Sequence, residues 1–254
     1  RMLYSQGVRL EDLGIATKDG TEVETDGRRI WRRFAERYHL FRGTPTRTWL
    51  DHAFATLFDF DVRLSAETAD LYYDRIAERL AEPAYRPRAL FERFNIEVIA
   101  TTESPLDPLV HHKAIRDSGW QGRVVTAYRP DPVVDPEFDG FKANVEAFGE
   151  LTGCDVSTFA GYLEAHRKRR AFFKEMGATS TDHGHPSART ADPSPAEAEA
   201  LYSRIMHGNV TSEDAELFRA QMLTEMAAMS LEDGLVMQIH PGSMRNHNAG
   251  LFAR

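Results

Sequence analysis

Polar side chains that could bind an acid or move a proton follow four short apolar runs of the sequence. The runs cover residues 95–100, 122–128, 177–181 and 235–239. The polar residues that follow them are Thr101, Thr102 and Glu103; Arg129 and Asp131; Asp182, His183 and His185; and His240 and Arg245. Apolar, β-branched runs bounded by turn residues are typical of strands buried on both faces of a parallel sheet. Because the carboxyl ends of parallel strands meet at one edge, we expect these polar groups to form one site.

The residue types in this set indicate the chemistry of the site. A guanidinium group such as that of Arg129 or Arg245 binds a planar carboxylate through two parallel hydrogen bonds. Aspartate and histidine, here Asp182 and His240, transfer protons near neutral pH or bind a metal. The set therefore suits a small acidic substrate.

Simpler structural interpretations stay open for these residues. Arg129 could pair with Asp131 or Asp135 at a turn, and spacing alone favours that interpretation slightly. Asp182 could form an Asx-turn or a helix cap. His240 could be a histidine at the boundary of the core.

The histidines differ in how strongly the sequence indicates a function. The nearby Gly242 and Arg245 favour a functional role for His240. His183 and His185 are expected to be exposed loop histidines. The pair at 111–112 does not match the HExxH pattern of a helical zinc site, so metal binding there has little support.

Helical patterns separate the four runs. A helix is expected to begin at Pro108 with Asp107 as its cap. The other patterns cover residues 140–149, 155–176, 196–206 and 212–229, with a loop at 187–195. Alternation of strand and helix predicts a β/α fold with a parallel sheet.

Two further segments are interpreted from their composition. Residues 1–93 are helical and aromatic-rich, and the stripe Trp31, Phe34 and Tyr38 is expected to be core. The basic cluster at 167–170 is interpreted as a solvated helix face.

The composition excludes several classes of protein. Of the 254 residues 42% are hydrophobic and 28% charged, which is typical of a globular protein. The formal charge of −8 argues against a nucleic-acid binder, since phosphate contacts need a basic face. The single Cys154 excludes an intramolecular disulfide. No apolar stretch is long enough to span a membrane and the N-terminus lacks a signal peptide, so a cytoplasmic location is expected.

Four motifs, in chain order, resemble those of one known family. They are the segments 100–107 (ATTESPLD, with His111 and His112), 128–131 (YRPD), 181–183 (TDH) and 238–248 (QIHPGSMRNHN). Together they resemble the uronate isomerases (glucuronate isomerases) of the amidohydrolase superfamily, and the similarity extends over nearly the whole chain.

The resemblance implies a fold and an activity. The fold would be α/β: part of a distorted (β/α)8 TIM barrel of amidohydrolase type, about strands two to five, in an incomplete chain. Residues 1–93 would be a helical insertion or cap, and residues 94–254 the partial barrel with a helical excursion at 187–230. The reaction would be aldose–ketose isomerisation of hexuronates, such as glucuronate to fructuronate, through an enediol in carbohydrate catabolism.

The resemblance also implies roles for individual residues. Asp182 and His240 would be catalytic, and Arg129 and Arg245 would bind the substrate. A divalent metal, zinc by the resemblance, would be held mostly outside this chain, with His240 as a possible ligand. The family's His-x-His pair, its late Asp ligand and a catalytic Tyr have no counterpart here. The partners implied are a small uronate and further copies of the same chain, with no nucleic acid or membrane.

Two other functions remain open at this level. One is a metal-dependent hydrolase of the same superfamily, which would use the same His and Asp positions to activate water. The other is a non-catalytic sugar-acid binder. A nicotinamide enzyme is not indicated, since no GxGxxG motif follows a strand.

Overall fold

The structure is a computed structural model that describes residues 2–208, 210–242 and 247–252. Contacts between Cα atoms divide the chain into two compact units, Arg1–Asn95 with Asn246–Arg254, and Ile96–Arg245. The predicted division into 1–93 and 94–254 stays a prediction.

The first unit is helical. Its α-helices are α1 Met2–Ser5, α2 Gly27–Glu36, α3 Pro45–Leu57, α4 Ala69–Ala81, α5 Pro87–Arg93 and, late in the chain, α12 Ala249–Phe252. Short 3-10 turns lie at Glu11–Leu13, Tyr38–Phe41 and Pro83–Tyr85. Aromatic side chains make the core, in which the rings of Phe60 and Tyr72 stack. Tyr38 is buried there, and Trp31 and Phe34 pack around it, which confirms the predicted aromatic stripe.

The second unit is a parallel β/α assembly, as predicted. Its elements are β1 Val98–Glu103, α6 Val110–Asp117, β2 Arg123–Tyr128, α7 Asp131–Val134, α8 Phe141–Thr152, α9 Phe159–Glu175, β3 Ser180–His183, α10 Pro195–Met206, α11 Ser212–Asp233 and β4 Val236–Ile239. The four strands pair in parallel in the order β1-β2-β3-β4. A large core of aromatic, aliphatic and methionine side chains lies among β2 and helices α7 to α11.

Alternation along the strands sends neighbouring side chains to opposite faces of the sheet. Tyr128 and Thr181, partners in the register, are fully buried, and the Tyr128 hydroxyl lies 2.7 Å from His166 Nδ1 on α9. Asp182 and Gln238, partners one residue further on, therefore share the face away from α9.

The strands extend further than the apolar runs predicted. Thr101 and Glu103 lie within β1, and Asp182 and His183 lie within β3, instead of following them. The ladder joins backbone groups, so a strand continues through polar side chains where the partner strand is present.

The expectation that all four strands are buried on both faces is wrong for β1 and β4. Val98 is 43% exposed and Val236 is 65% exposed, whereas Val125 of β2 is 7% exposed. The physical reason is position: β1 and β4 are the two edges of the sheet.

Two helical predictions also need correction. The Asp107 carboxylate accepts a hydrogen bond from Leu109 N, and Leu109 takes a left-handed conformation, so α6 begins at Val110 instead of Pro108. The basic cluster is a solvated face only in part: Lys168 is exposed, whereas Arg169 and Arg170 are 8% and 1% exposed and bond to groups on other elements. None of the described helices is long and apolar enough to cross a membrane.

Candidate active site

Three of the predicted site residues meet at the carboxyl ends of β2, β3 and β4. Arg129 follows β2 directly, and its N–H donates to Glu103 O at 3.0 Å. His240 follows β4 directly, and its N–H donates to His183 O at 3.2 Å. Both side chains are thus carried on backbone that continues the ladder beyond the last strand residue, which fixes their direction relative to Asp182 of β3.

Asp182 bridges the other two residues. Its Oδ2 lies 3.2 Å from Arg129 Nη1, and its Oδ1 lies 3.0 Å from His240 Nε2. The Asp182 side chain is 12% exposed, whereas the His240 side chain is 43% exposed. The carboxylate thus contacts a guanidinium through one oxygen and an imidazole through the other, and the imidazole is partly exposed to solvent.

The turn pairing considered for Arg129 also exists. Arg129 Nε lies 3.4 Å from Asp131 Oδ2, so the guanidinium lies between two carboxylates. Asp135, the other candidate partner, instead forms an ion pair with the buried Arg219 of α11. The structural and functional interpretations of Arg129 are therefore compatible, because one guanidinium makes both contacts.

Sequence reasoning missed two residues of this site. Gln238 donates from Nε2 to Ser180 Oγ at 3.0 Å on the face of the sheet that carries Asp182. Gly184 donates its N–H to Asp131 Oδ2 at 3.4 Å. Period-two alternation from Asp182 and His240 could have identified Gln238, since residues two apart on a strand share a face. No local sequence signal identifies Gly184.

His183 and His185 are buried, so the expectation that they are exposed is wrong. Burial is the main cause that lowers the pKa of His183 to about 3, and it also lowers the pKa of His185. His183 Nε2 lies 2.8 Å from Thr181 Oγ1, on the face of the sheet opposite Asp182. These imidazoles are neutral near pH 7 and pack as part of the fold.

Thr101 and Glu103 of β1 are not brought to the same place, whereas Thr102 between them faces the side of the sheet that carries Asp182. Glu103 pairs in register with Tyr128, whose side chain packs on α9. Thr101 Oγ1 lies 2.9 Å from His112 Nε2 of α6, and the Thr126 hydroxyl donates to Glu103. Thr101 and Glu103 therefore contact groups on the side of the sheet that packs against the helices, opposite to the side that carries Asp182.

Arg245 lies outside the described residues, so its predicted role stays a prediction. Within the described ranges, no group of three His, Cys, Asp or Glu side chains could hold a metal ion. These residues do not by themselves fit a metal centre.

A parallel β/α sheet with Arg129, Asp182 and His240 gathered at the carboxyl ends of its strands defines a class: β/α proteins whose sites lie at that edge of the sheet. Within this class the chain belongs to the glucuronate isomerase family, whose family model matches residues 10–254.

Relatives and solved structures agree with that membership. The chain is 66% identical to a uronate isomerase of Mesorhizobium japonicum over 100% of this chain and 54% of the relative. It is also 66% identical to a uronate isomerase of Phenylobacterium zucineum, over 100% of this chain and 53% of the relative.

The crystal structure of a glucuronate isomerase from Caulobacter crescentus superposes with a TM-score of 0.94 at 59% identity, covering 99% of this chain and 52% of that one. A uronate isomerase structure from Thermotoga maritima gives 0.89 at 26% identity, covering 99% and 54%. The chain thus spans about half the length of the proteins it matches.

Proposed function

We propose that the whole protein to which this chain belongs interconverts aldose and ketose uronates, D-glucuronate with D-fructuronate and D-galacturonate with D-tagaturonate. The observation that carries the proposal is Asp182, which contacts both Arg129 and His240 at one edge of the sheet. The family of the chain and the names of its relatives support the same reaction.

The residues suit the parts of this reaction. Isomerisation moves a proton between C2 and C1 of the open-chain sugar through an enediol. Arg129, together with Arg245 as predicted from sequence, would bind the substrate carboxylate and so hold an acid in a chain of net negative charge. Asp182 and His240 form a carboxylate–imidazole pair, and we assign the proton transfer to this pair.

The pair also has a suitable geometry for its role. Asp182 is oriented by the Arg129 guanidinium on one oxygen, while its other oxygen contacts His240 Nε2. A buried carboxylate that contacts an imidazole orients the ring. The ring of His240 is half exposed, so a substrate can reach it.

A barrel of eight strands is a further proposal for the whole protein. Its support is the apolar, exposed character of Val98, Ile99, Val236 and Ile239 on the two edge strands, which further strands would cover. The solved structure that this chain resembles is about twice as long, so the other half of such a protein could supply these strands.

A metal and an assembly of several copies also remain proposals. The divalent metal, zinc by the sequence resemblance, would take most ligands from residues outside these 254, and metal analysis of the purified whole protein tests it. Gel filtration with light scattering tests the homo-oligomer. A cytoplasmic location stays a prediction.

The experiment that tests the proposed reaction uses the purified whole protein with D-glucuronate in D2O. Ketose formation with deuterium at C1 of the ketose is the expected result, because the proton removed from C2 exchanges with solvent before a proton is added to C1. Arg129→Gln should raise KM by about 100-fold, since it removes a charged contact to the carboxylate. If no ketose forms while a lactone or amide is hydrolysed, the hydrolase alternative replaces the proposal. If uronate binds and neither reaction occurs, the chain belongs to a sugar-acid binder.

A further inference from the structure

The backbone at Gly184 passes very close to the side chains of the site. A Cβ placed on Gly184 would lie 2.5 Å from Asp131 Oδ1, 2.7 Å from Arg129 Nη2 and 3.3 Å from His240 Cε1. Contacts of 2.5 and 2.7 Å are shorter than a methyl group can make with these atoms, so a side chain at this position must displace them. The φ angle of Gly184 is outside the left-handed region, so the reason for glycine here is space and not backbone conformation.

The displaced side chains include Arg129 itself and Asp131, one of the two carboxylates that contact the guanidinium. Its Nε faces Asp131 at 3.4 Å and its Nη1 faces Asp182 at 3.2 Å. Both of these ion-pair contacts are made by Nε and Nη1, whereas Nη2 lies beside Gly184. Asp131 is itself held by the Gly184 N–H at 3.4 Å.

We propose that Gly184 and Asp131 are positioning residues that set the direction of the Arg129 guanidinium and leave its Nη2 free for the substrate carboxylate. The inference rests on the proposed uronate chemistry. Asp131 fixes the Nε end of the guanidinium, and Gly184 supplies the space in which Nη2 and the substrate meet.

A positioning role predicts a specific pattern of effects. The atoms that a Cβ at Gly184 would meet are the mobile ends of side chains, so the fold can accommodate Gly184→Ala while the guanidinium turns away. A displacement of about 1 Å in a binding group costs about 100-fold in efficiency. Because Arg129 contacts the carboxylate in both ground and transition state, most of the loss should appear in KM.

The experiment is a double-mutant cycle in the whole protein with D-glucuronate as substrate. Gly184→Ala should lower kcat/KM by about 100-fold, chiefly through KM, with the melting temperature within about 2 °C of wild type. Asp131→Ala should lower it by about 30-fold, and adding Gly184→Ala to that variant should cost no more than about 3-fold further, since both changes release the same guanidinium.

Gly250→Ala is the matched control. A Cβ there meets nothing closer than 3.8 Å, so the variant should behave as wild type. The proposal is overturned if Gly184→Ala has the same KM as Gly250→Ala. It is also overturned if the lower activity of Gly184→Ala is explained by a matching fall in its melting temperature. A third contrary result is a double variant whose loss of kcat/KM is the product of the losses in the two single variants.

A crystal structure of Gly184→Ala separates this proposal from the proposed function. If the wild-type protein does not isomerise uronates, the proposed function fails, and the structures still decide the positioning role. Movement of Arg129 Nη2 by about 1 Å relative to wild type supports it, and an unmoved guanidinium overturns it.

Discussion

At the scale of single residues, Asp182 is the group on which the site depends. The whole residue is 8% exposed. Its carboxylate contacts Arg129, which follows β2, and His240, which follows β4. A carboxylate removed from water in this way is stabilised by its cationic partner, and its loss leaves Arg129 paired only with Asp131. The effect of changing it should therefore be chemical as well as structural.

We expect Asp182→Asn to lower kcat by about 100-fold or more, because the amide keeps the shape but removes the charge that orients His240. Steady-state kinetics with glucuronate measure it. Asp192→Asn, an exposed change in the loop before α10, is the control and should leave kcat unaltered. Wild-type kcat in Asp182→Asn would refute the assigned role.

At the scale of elements, a buried ion pair joins α9 to α11. Arg170 Nε lies 2.6 Å from Asp233 Oδ2, Arg170 Nη2 lies 3.0 Å from Asp233 Oδ1, and Nη2 also donates to Ser230. Burial would raise the pKa of Asp233, but the hydrogen bonds from Arg170 and Leu235 N together hold it below its ordinary value. One helix is thereby fixed against the other immediately before β4 begins.

Arg170→Met should lower the free energy of unfolding by about 3 kcal/mol, because it leaves a partly buried carboxylate without its partner. Urea unfolding of the whole protein measures the change. Arg167→Met is a matched control on the same helix, since Arg167 pairs with Glu232 where the side chains are 39% and 50% exposed. Exposed pairs contribute little, so its unfolding midpoint should stay at the wild-type value. Equal midpoints for the two variants would show that the buried pair does not stabilise the fold.

At the scale of the whole molecule, neutral histidines are packed into the second unit. His166, His183 and His185 are all buried, and burial is the first cause that lowers the pKa of each below 6.5. Each has a buried ring nitrogen without a hydrogen-bond partner among the described residues. Protonation would place a charge in the core, which costs more than in water.

Stability should therefore fall as the pH falls below about 6.5, because the unfolded chain takes up protons that the folded chain refuses. The stability is fully present above 6.5 and is lost progressively towards pH 3, where His183 titrates in the folded state. His183 contributes a slope of about 1.4 kcal/mol per pH unit in this window, and the lowered pKa values of His166 and His185 act in the same direction. Urea unfolding between pH 7 and 4.5 measures the slope.

His183→Gln should reduce that slope by about 1.4 kcal/mol per pH unit, which is the contribution of one proton. His52 is exposed, so His52→Gln is the control and should leave the slope unaltered. A slope that His183→Gln does not change would show that this imidazole takes up its proton in the folded protein as readily as in the unfolded chain.

The local pattern of the sequence determined the parallel β/α organisation, the aromatic helical segment and which strands bring Arg129, Asp182 and His240 to one edge of the sheet. These follow from hydrophobic periodicity and turn residues, which act over a few neighbouring positions. The strand boundaries, the burial of Arg170 and His183, and the separation of Glu103 from the site were decided by tertiary structure.

Tertiary structure also decided that the Asp131 and Arg129 side chains lie close to the Gly184 backbone. Whether a polar side chain is buried depends on a partner distant in the chain, as Asp233 is for Arg170, and whether a glycine is required depends on which side chains meet beside it. Neither property is encoded in the neighbouring residues.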